Sequence, residues 1–374
     1  MEKTSPESFA SGSLNLRVAV SQIGMITIFT PSFADESDTN AQNLSVKEIV
    51  ARLDPERFRV TMFYESAPDP RIAKRPNTRL LRWRKHGNTV FTIGRFLADI
   101  PDVYFFPREG PLDAAFLKLR RLLRLRTALV TLVVSGGLDV QPYGEARTNN
   151  IREADCLLAN NTYLGQLLRE KMGVEAATIY DGVDRRNFFP PGERRENQTI
   201  SVLYAGSMRP YKCVPMVVQQ AVRWPGVQFR IAGTGEEEQL CRTVAKDLNC
   251  HNVEFLGHLP AAKVGEEMRN ADIFLFPSKV EGHPQVLVQA AASGLPSIAR
   301  RSYRPDYVVD GTTGFLVDTD SEMAEKLDLL IREPEKRHVM SAAAVRHAAK
   351  FSWERIALEF QEVFELAVRK RSNH

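Results

Sequence analysis

No apolar run in this chain approaches the ~20 residues that a membrane-crossing helix requires. Cysteine is scarce, four in 374 residues at positions 156, 213, 241 and 250, with no C-x-x-C spacing. That argues against a disulfide framework and fits a reduced, cytoplasmic setting. No group of His, Cys and carboxylates has metal-ligand spacing. The triplet Asp318-Thr319-Asp320 looks like a D-x-D, but it follows an apolar run and precedes helix formers, so it reads as a strand end and a helix cap. No repeat of fixed period is visible. The opening MEKTSPESFASGSLN (1–15) is polar, lacks the apolar centre of a signal peptide, and reads as a disordered tail. Charge of one sign is lacking overall: 50 Lys and Arg stand against 46 Asp and Glu. With little aromatic interleaving and no recognisable nucleic-acid module, nucleic acid is not an expected partner.

What is present is 43% hydrophobic residues over a length that suits two soluble domains. LRVAVSQI (16–23) reads as a first buried strand, MITIFTPSFADESDTN as the connection after it, LSVKEIVARL (44–53) as a helix and ERFRVTMFY (56–64) as a second strand. That order suits a doubly wound α/β half-domain. Gln42 and Asn43 either face a cleft or sit in a solvated loop, and the loop is the favoured reading. TALVTLVVSGGLDV (127–140) runs as a strand into Ser135-Gly136-Gly137, with Asp139 just beyond. Two basic clusters lie in this half. Residues 71–87 carry Arg71, Lys74, Arg75, Arg79, Arg82, Arg84 and Lys85; residues 116–126 carry Lys118, Arg120, Arg121, Arg124 and Arg126 among leucines. They are either a surface for anionic lipid or a charged acceptor, or the polar faces of ordinary core helices.

The stretch 273–298, IFLFPSKVEGHPQVLVQAAASGLPSI, is the most informative. An apolar strand ends at Pro277, a loop carries Glu281, Pro284 opens a helix, and Gly294 and Pro296 stop it. A loop at the carboxyl end of a strand that feeds a helix N-terminus is where open α/β sheets bind ligands. An ionised carboxylate there is a pure acceptor, suited to hydroxyl donors such as those of a sugar. The plain alternative is that Glu281 only favours the dipole of the helix that follows.

This stretch resembles the donor-site signature of the retaining family-4 glycosyltransferases, at Pro277, Ser278, Glu281, Gly282, Ala290, Ala292, Gly294 and Pro296. The family's second Glu is Gln289 here. Three further passages are similar to the family: YDGVDRRNFFPP (180–191), with Asp181 where Asn is common; AGSMRPYK (205–212), with Ser207 in place of Arg; and RPDYVVDGTTGFLVDTD (304–320). The likeness covers most of 150–370 and, before that, only the layout.

The resemblance implies an α/β fold of the GT-B arrangement, two doubly wound Rossmann-like domains facing across a cleft. The first would span 16–190 and the second 199–350, with 190–198 as hinge and the helix at 352–370 crossing back onto the first. It implies metal-free transfer of a sugar from a nucleotide diphosphate-sugar donor to a glycan or lipid-linked acceptor, with no cofactor. Glu281, Lys212 and Arg209 would be the catalytic residues. Gly206, Ser207, Gly233, Gly235, His258, Gly282, His283, Gln285, Val286 and Gln289 would contact the donor. The family's usual His after the 127–134 strand is absent. That absence, with Ser207 and Gln289, keeps a non-catalytic nucleotide-sugar binder open as a second reading. A sugar-nucleotide epimerase or phosphorylase is a third.

Overall fold

A computed structural model describes residues 24–36, 40–83, 88–134, 142–192 and 199–372. The strand expected over 16–23, the Ser135-Gly136-Gly137 loop with Asp139, the tail and most of the hinge lie outside them. The first half builds β1 (Ile26–Phe33), α1 (Ala41–Arg52), β2 (Phe58–Tyr64), α2 (Pro70–Ala73), β3 (Thr78–Arg82), α3 (Asn88–Ala98) and β4 (Val103–Phe105). It continues with α4 (Pro111–Leu122), β5 (Ala128–Val133), α5 (Glu145–Arg152), β6 (Cys156–Ala159), α6 (Thr162–Met172) and β7 (Ala177–Thr178). The strands form one parallel sheet in the order β3-β2-β1-β4-β5-β6-β7.

β1 corrects the sequence reading, which took this stretch for a connection. Pro31 argues against a central strand, because it cannot donate to the ladder. The sheet accommodates it with a register shift between Phe29 and Phe33, where β1 pairs with β2. The apolar run on either side then decides.

The second half builds β8 (Ser201–Ala205), α7 (Val214–Arg223), β9 (Gln228–Ala232), α8 (Glu238–Asp247), β10 (Val253–Gly257), α9 (Ala261–Asn270) and β11 (Ile273–Phe276). α10 (Gln285–Ala292), β12 (Ser297–Arg300), β13 (Gly314–Val317), α11 (Asp320–Arg332), α12 (Pro334–Ala348) and α13 (Trp353–Ser372) complete it. Its parallel sheet runs β10-β9-β8-β11-β12-β13. In both sheets the strand order reverses beside the first strand, between β1 and β4 and between β8 and β11. That switch point is where the loops on either side diverge and leave a crevice.

α13 does not stay with the second sheet. Phe360 and Phe364 are buried against Phe105, and Phe364 also meets Phe58. Burial of each such ring stabilises by roughly 1.5–3 kcal/mol, so the last helix fastens the first domain. Gly182, on the strand-like passage between domains, makes room for it. A Cβ there would fall 2.6 Å from the Trp353 ring. Close packing against that ring is what calls for glycine.

Candidate active site

The second crevice is built by two loops from adjacent strands. β8 and β11 pair with Val202 opposite Ile273, so their carboxyl ends release residues 206–213 and 277–284 side by side. The backbone ties the loops together, with Lys279 N–H donating to the Tyr211 carbonyl at 2.9 Å. Ser278 Oγ lies 3.4 Å from the same oxygen. These links bring Lys212 onto Glu281: Nζ donates to Oε1 in an ion pair with both side chains nearly buried. The ammonium also lies 5.2 Å from the Phe276 ring and 5.3 Å from that of Tyr211. A pair so shielded is screened little by salt. Each partner is set to meet a ligand of opposite character, anionic at Lys212 and hydroxyl-bearing at Glu281.

Gly233 and Gly235 allow two loops to meet closely. A Cβ on Gly233 would fall 1.8 Å from the Gly206 carbonyl oxygen, and one on Gly235 would fall 2.7 Å from that of Met208. The loops after β8 and β9 are thus packed backbone to backbone, with Met208 N–H donating to the Thr234 carbonyl at 2.9 Å. The glycines permit that contact, and it shapes the crevice wall beneath Lys212. Arg209 and Ser207 are exposed at the rim. His258 is exposed on the loop after β10, joined to the same wall because Gly233 N–H donates to the Gly257 carbonyl at 2.7 Å.

On the other wall, Pro284 occupies the cap position of α10 rather than its first helical residue, so the helix starts at Gln285. Gln289 and Val286 are half-buried on its first turns, and Gly282 sits between Glu281 and His283. His283 is buried, with its ring centroid 3.8 Å from that of Tyr307, and neither nitrogen is hydrogen-bonded among the described residues. Burial pushes its pKa down to about 3, so the imidazole is neutral.

Gln285 turns away from Glu281 to the seam between the domains. Its Nε2 donates to Ser45 Oγ of α1 at 3.3 Å. Ser45 in turn donates to Asp181 Oδ1 at 2.6 Å, and Asn160 Nδ2 donates to Oδ2 at 3.1 Å. The Tyr307 hydroxyl donates to the Asp181 carbonyl at 2.9 Å. Asp181 is buried among neutral donors, and burial raises its pKa. One carboxylate therefore joins α1, the end of β6 and the start of α10. α1 begins at the first domain's switch point and α10 follows the 277–284 loop, so these bonds tie the two switch-point regions together.

The first crevice is built around Arg108, which sequence reasoning missed. Its guanidinium donates to Gln42 and Asn43 of α1 and, at 3.3 Å, to Ser32 of β1; it lies 4.7 Å over the Phe106 ring. A cavity of about 500 Å³ opens beside it, with Phe33, Phe63 and Trp83 on one side and Asn40 and Gln42 on the other. Gln42 and Asn43 therefore belong to a crevice wall, against the solvated-loop reading. Arg108 had a signal: it stands directly after the apolar strand VYFFP and before a Gly-Pro helix start.

The basic clusters are divided. Arg71 pairs with Asp69 and Glu48, buried Arg75 donates to the Leu53 and Phe58 carbonyls, and Arg120 holds the Thr127 carbonyl and Asp155. Arg75 and Arg120 are buried and Arg71 is partly buried, and the contacts of all three are made within the fold. At the other suspected site, Asp318 and Asp320 pair with Arg301 and Arg300, while Thr319 caps α11.

Two Rossmann-like domains joined at a seam, each with a crevice at its switch point, are the GT-B arrangement. Solved structures match over almost the whole chain. A sucrose-phosphate synthase from Thermosynechococcus elongatus superposes with a TM-score of 0.74 at 18% identity, covering 91% of this chain and 98% of that one. HepE of Anabaena, solved with UDP and glucose, has a TM-score of 0.72 at 17% identity, covering 91% and 99%. Residues 184–347 match the family model of the glycosyl transferases group 1. A Methanocaldococcus jannaschii glycosyltransferase of uncharacterised activity is 23% identical over 86% of this chain and 93% of its own length. The D-inositol 3-phosphate glycosyltransferase of Mycobacterium tuberculosis is 31% identical over 226 residues, 54% of this chain, which spans about half (47%) of that relative.

Proposed function

We propose that the protein is a retaining, metal-independent enzyme that moves a sugar from a nucleotide diphosphate donor to an acceptor hydroxyl, in polysaccharide or glycolipid synthesis. The observation that carries this reading is the shielded Lys212–Glu281 pair at the second switch point. A donor diphosphate competes with Glu281 for Lys212. As it takes the ammonium, it releases the carboxylate to accept from sugar hydroxyls. Arg209, at the rim, and the backbone N–H groups around His283 add to the charge that meets the leaving diphosphate. Pro284 contributes none, having no N–H. Such preorganised charge stabilises the transition state without a metal. Gln289 replaces a carboxylate with an amide that still accepts from ribose hydroxyls. The acceptor enters the crevice of Arg108 and Trp83. The enzyme works in the cytoplasm, with peripheral contact to anionic membrane through basic residues of 71–87 and 116–126.

The test is nucleotide release from UDP-, GDP-, ADP- and TDP-sugars with a panel of acceptors in EDTA, with the product's anomeric configuration read by proton NMR. Retained configuration with undiminished release in EDTA is the expected result. An inverted product or dependence on added metal defeats the reading. Donor conversion without acceptor identifies an epimerase, and binding without release identifies a non-catalytic subunit.

A further inference from the structure

α3 is apolar on both sides. Successive helix residues turn by about 100°, so Thr92, Ile93 and Phe96 share one side and Val90, Phe91, Gly94, Leu97 and Ala98 share the other. The first group packs inward, where the Phe96 ring meets Phe116 of α4 at 5.3 Å. The second group faces outward: Val90 is 78% exposed, Phe91 59% and Leu97 41%, and Ile100 just past the helix is 47% exposed. Arg95 is the single charge on the helix, standing beside this face 6.0 Å over the Phe91 ring. α4 lies alongside and ends in two further exposed leucines, Leu122 at 73% and Leu123 at 50%.

Scattered exposed apolar residues call for no explanation, but a continuous helix face of them does. The surroundings say what covers it. From 71 to 126 the chain carries fourteen Lys and Arg against four Asp and Glu, whereas the remainder has 36 against 42. Arg95, Lys118, Arg124 and Arg126 are exposed and pair with no acidic side chain among the described residues. A second copy of this chain would bring the same positive charge to the contact and be repelled.

We propose that the outer face of α3, with the leucines ending α4, is a monotopic docking surface for an anionic lipid bilayer. The apolar side chains enter the headgroup–acyl boundary while the flanking cations remain at its charged surface. The inference sharpens the membrane part of the functional reading and rests on it. It names α3 as the inserted element, which the basic clusters alone did not indicate. The site then delivers the acceptor crevice to a lipid-linked substrate in the plane of the membrane.

The experiment is flotation of the full chain with vesicles of phosphatidylcholine alone, or with about a third phosphatidylglycerol, without donor nucleotide. Because flotation itself measures no sugar transfer, a negative flotation result leaves the transfer reaction untouched. Binding should favour the anionic vesicles by at least about tenfold and fall as salt rises. The double substitution Val90→Ser and Phe91→Ser should lower it about tenfold or more, with the melting temperature and turnover of a water-soluble acceptor unchanged. Leu122→Ser with Leu123→Ser, as an independent pair, should also weaken it. Equal binding to both vesicle types, no binding at low salt, or undiminished binding by both double variants would overturn the proposal. So would a concentration-dependent dimer, seen by light scattering, that the α3 double substitution dissolves.

Discussion

The two domains have the same strand order, and each opens a crevice at the same switch point, yet they equip it differently. In the second domain, opposite charges meet: Lys212 and Glu281 lie on neighbouring loops held together through Tyr211 and Lys279. In the first, Arg108 donates to the neutral side chains of Gln42, Asn43 and Ser32 next to an aromatic wall. A charged pair suits a ligand that is anionic at one end and hydroxylated at the other. A cation amid amides and aromatic rings suits a ring with an apolar face and a few polar groups. Under the proposed function the contrast puts the donor in the second domain and the acceptor in the first, and it can be broken at several points.

The largest effect should come from the wall of the second crevice. Gly233→Ala places a Cβ against the Gly206 carbonyl, in a backbone region with φ of +139° that side chains avoid. Overpacking and backbone strain together should cost about 2–4 kcal/mol, read as a lowered midpoint in urea unfolding. A variant as stable as the native chain would show that the loops are not packed as described. Next, Arg108→Ala should raise the KM for acceptor by about tenfold or more, the loss of one or two charge-assisted hydrogen bonds. Donor KM should hardly move; a donor effect as large as the acceptor effect would erase the division of labour.

A further effect concerns pH. His283 is neutral in the folded chain, with its pKa depressed to about 3, whereas the unfolded chain takes up a proton near 6.5. Stability contributed by this site is complete above pH 6.5 and is lost as pH falls from there toward 3, by up to about 1.4 kcal/mol per unit. His283→Phe keeps the ring against Tyr307 and removes the titration. Denaturant midpoints measured from pH 7 to 5 should therefore fall less steeply in the variant. Parallel slopes would mean that the imidazole is protonated, or solvated, in the folded state.

The same contrast explains how much could be read from the sequence. The second crevice is written in two short stretches, and its glycines and prolines sit at strand ends and helix starts, where backbone geometry permits few other residues. Glu281 and Lys212 could be picked out there. What the glycines do was less legible, because Gly233 answers to a carbonyl 27 residues away in another loop. The first crevice draws Ser32, Gln42, Asn43 and Arg108 from three separate segments, and only Arg108 stands beside a strand end and a Gly-Pro helix start. β1 was missed because the apolar run at 16–23 was taken as the first strand, which left 26–33 as its connection, and the pairing of β1 with β2 and β4 is visible only in the assembled sheet. Gln285 and Asp181 were seen as parts of motifs, but their meeting through Ser45 crosses 240 residues from Ser45 to Gln285, and spacing alone carries no sign of it.

The central claim is that the Lys212–Glu281 pair is where the donor's diphosphate binds. Calorimetric titration of the native chain, Lys212→Ala and Arg108→Ala with UDP, GDP, ADP and TDP and their glucose conjugates tests it most directly. The account predicts that one nucleotide binds the native chain. Lys212→Ala should weaken that binding by about 1.5–3 kcal/mol, and Arg108→Ala should leave it within experimental error. Unchanged affinity in Lys212→Ala, or a larger loss in Arg108→Ala, would contradict the account and move the donor to the other crevice.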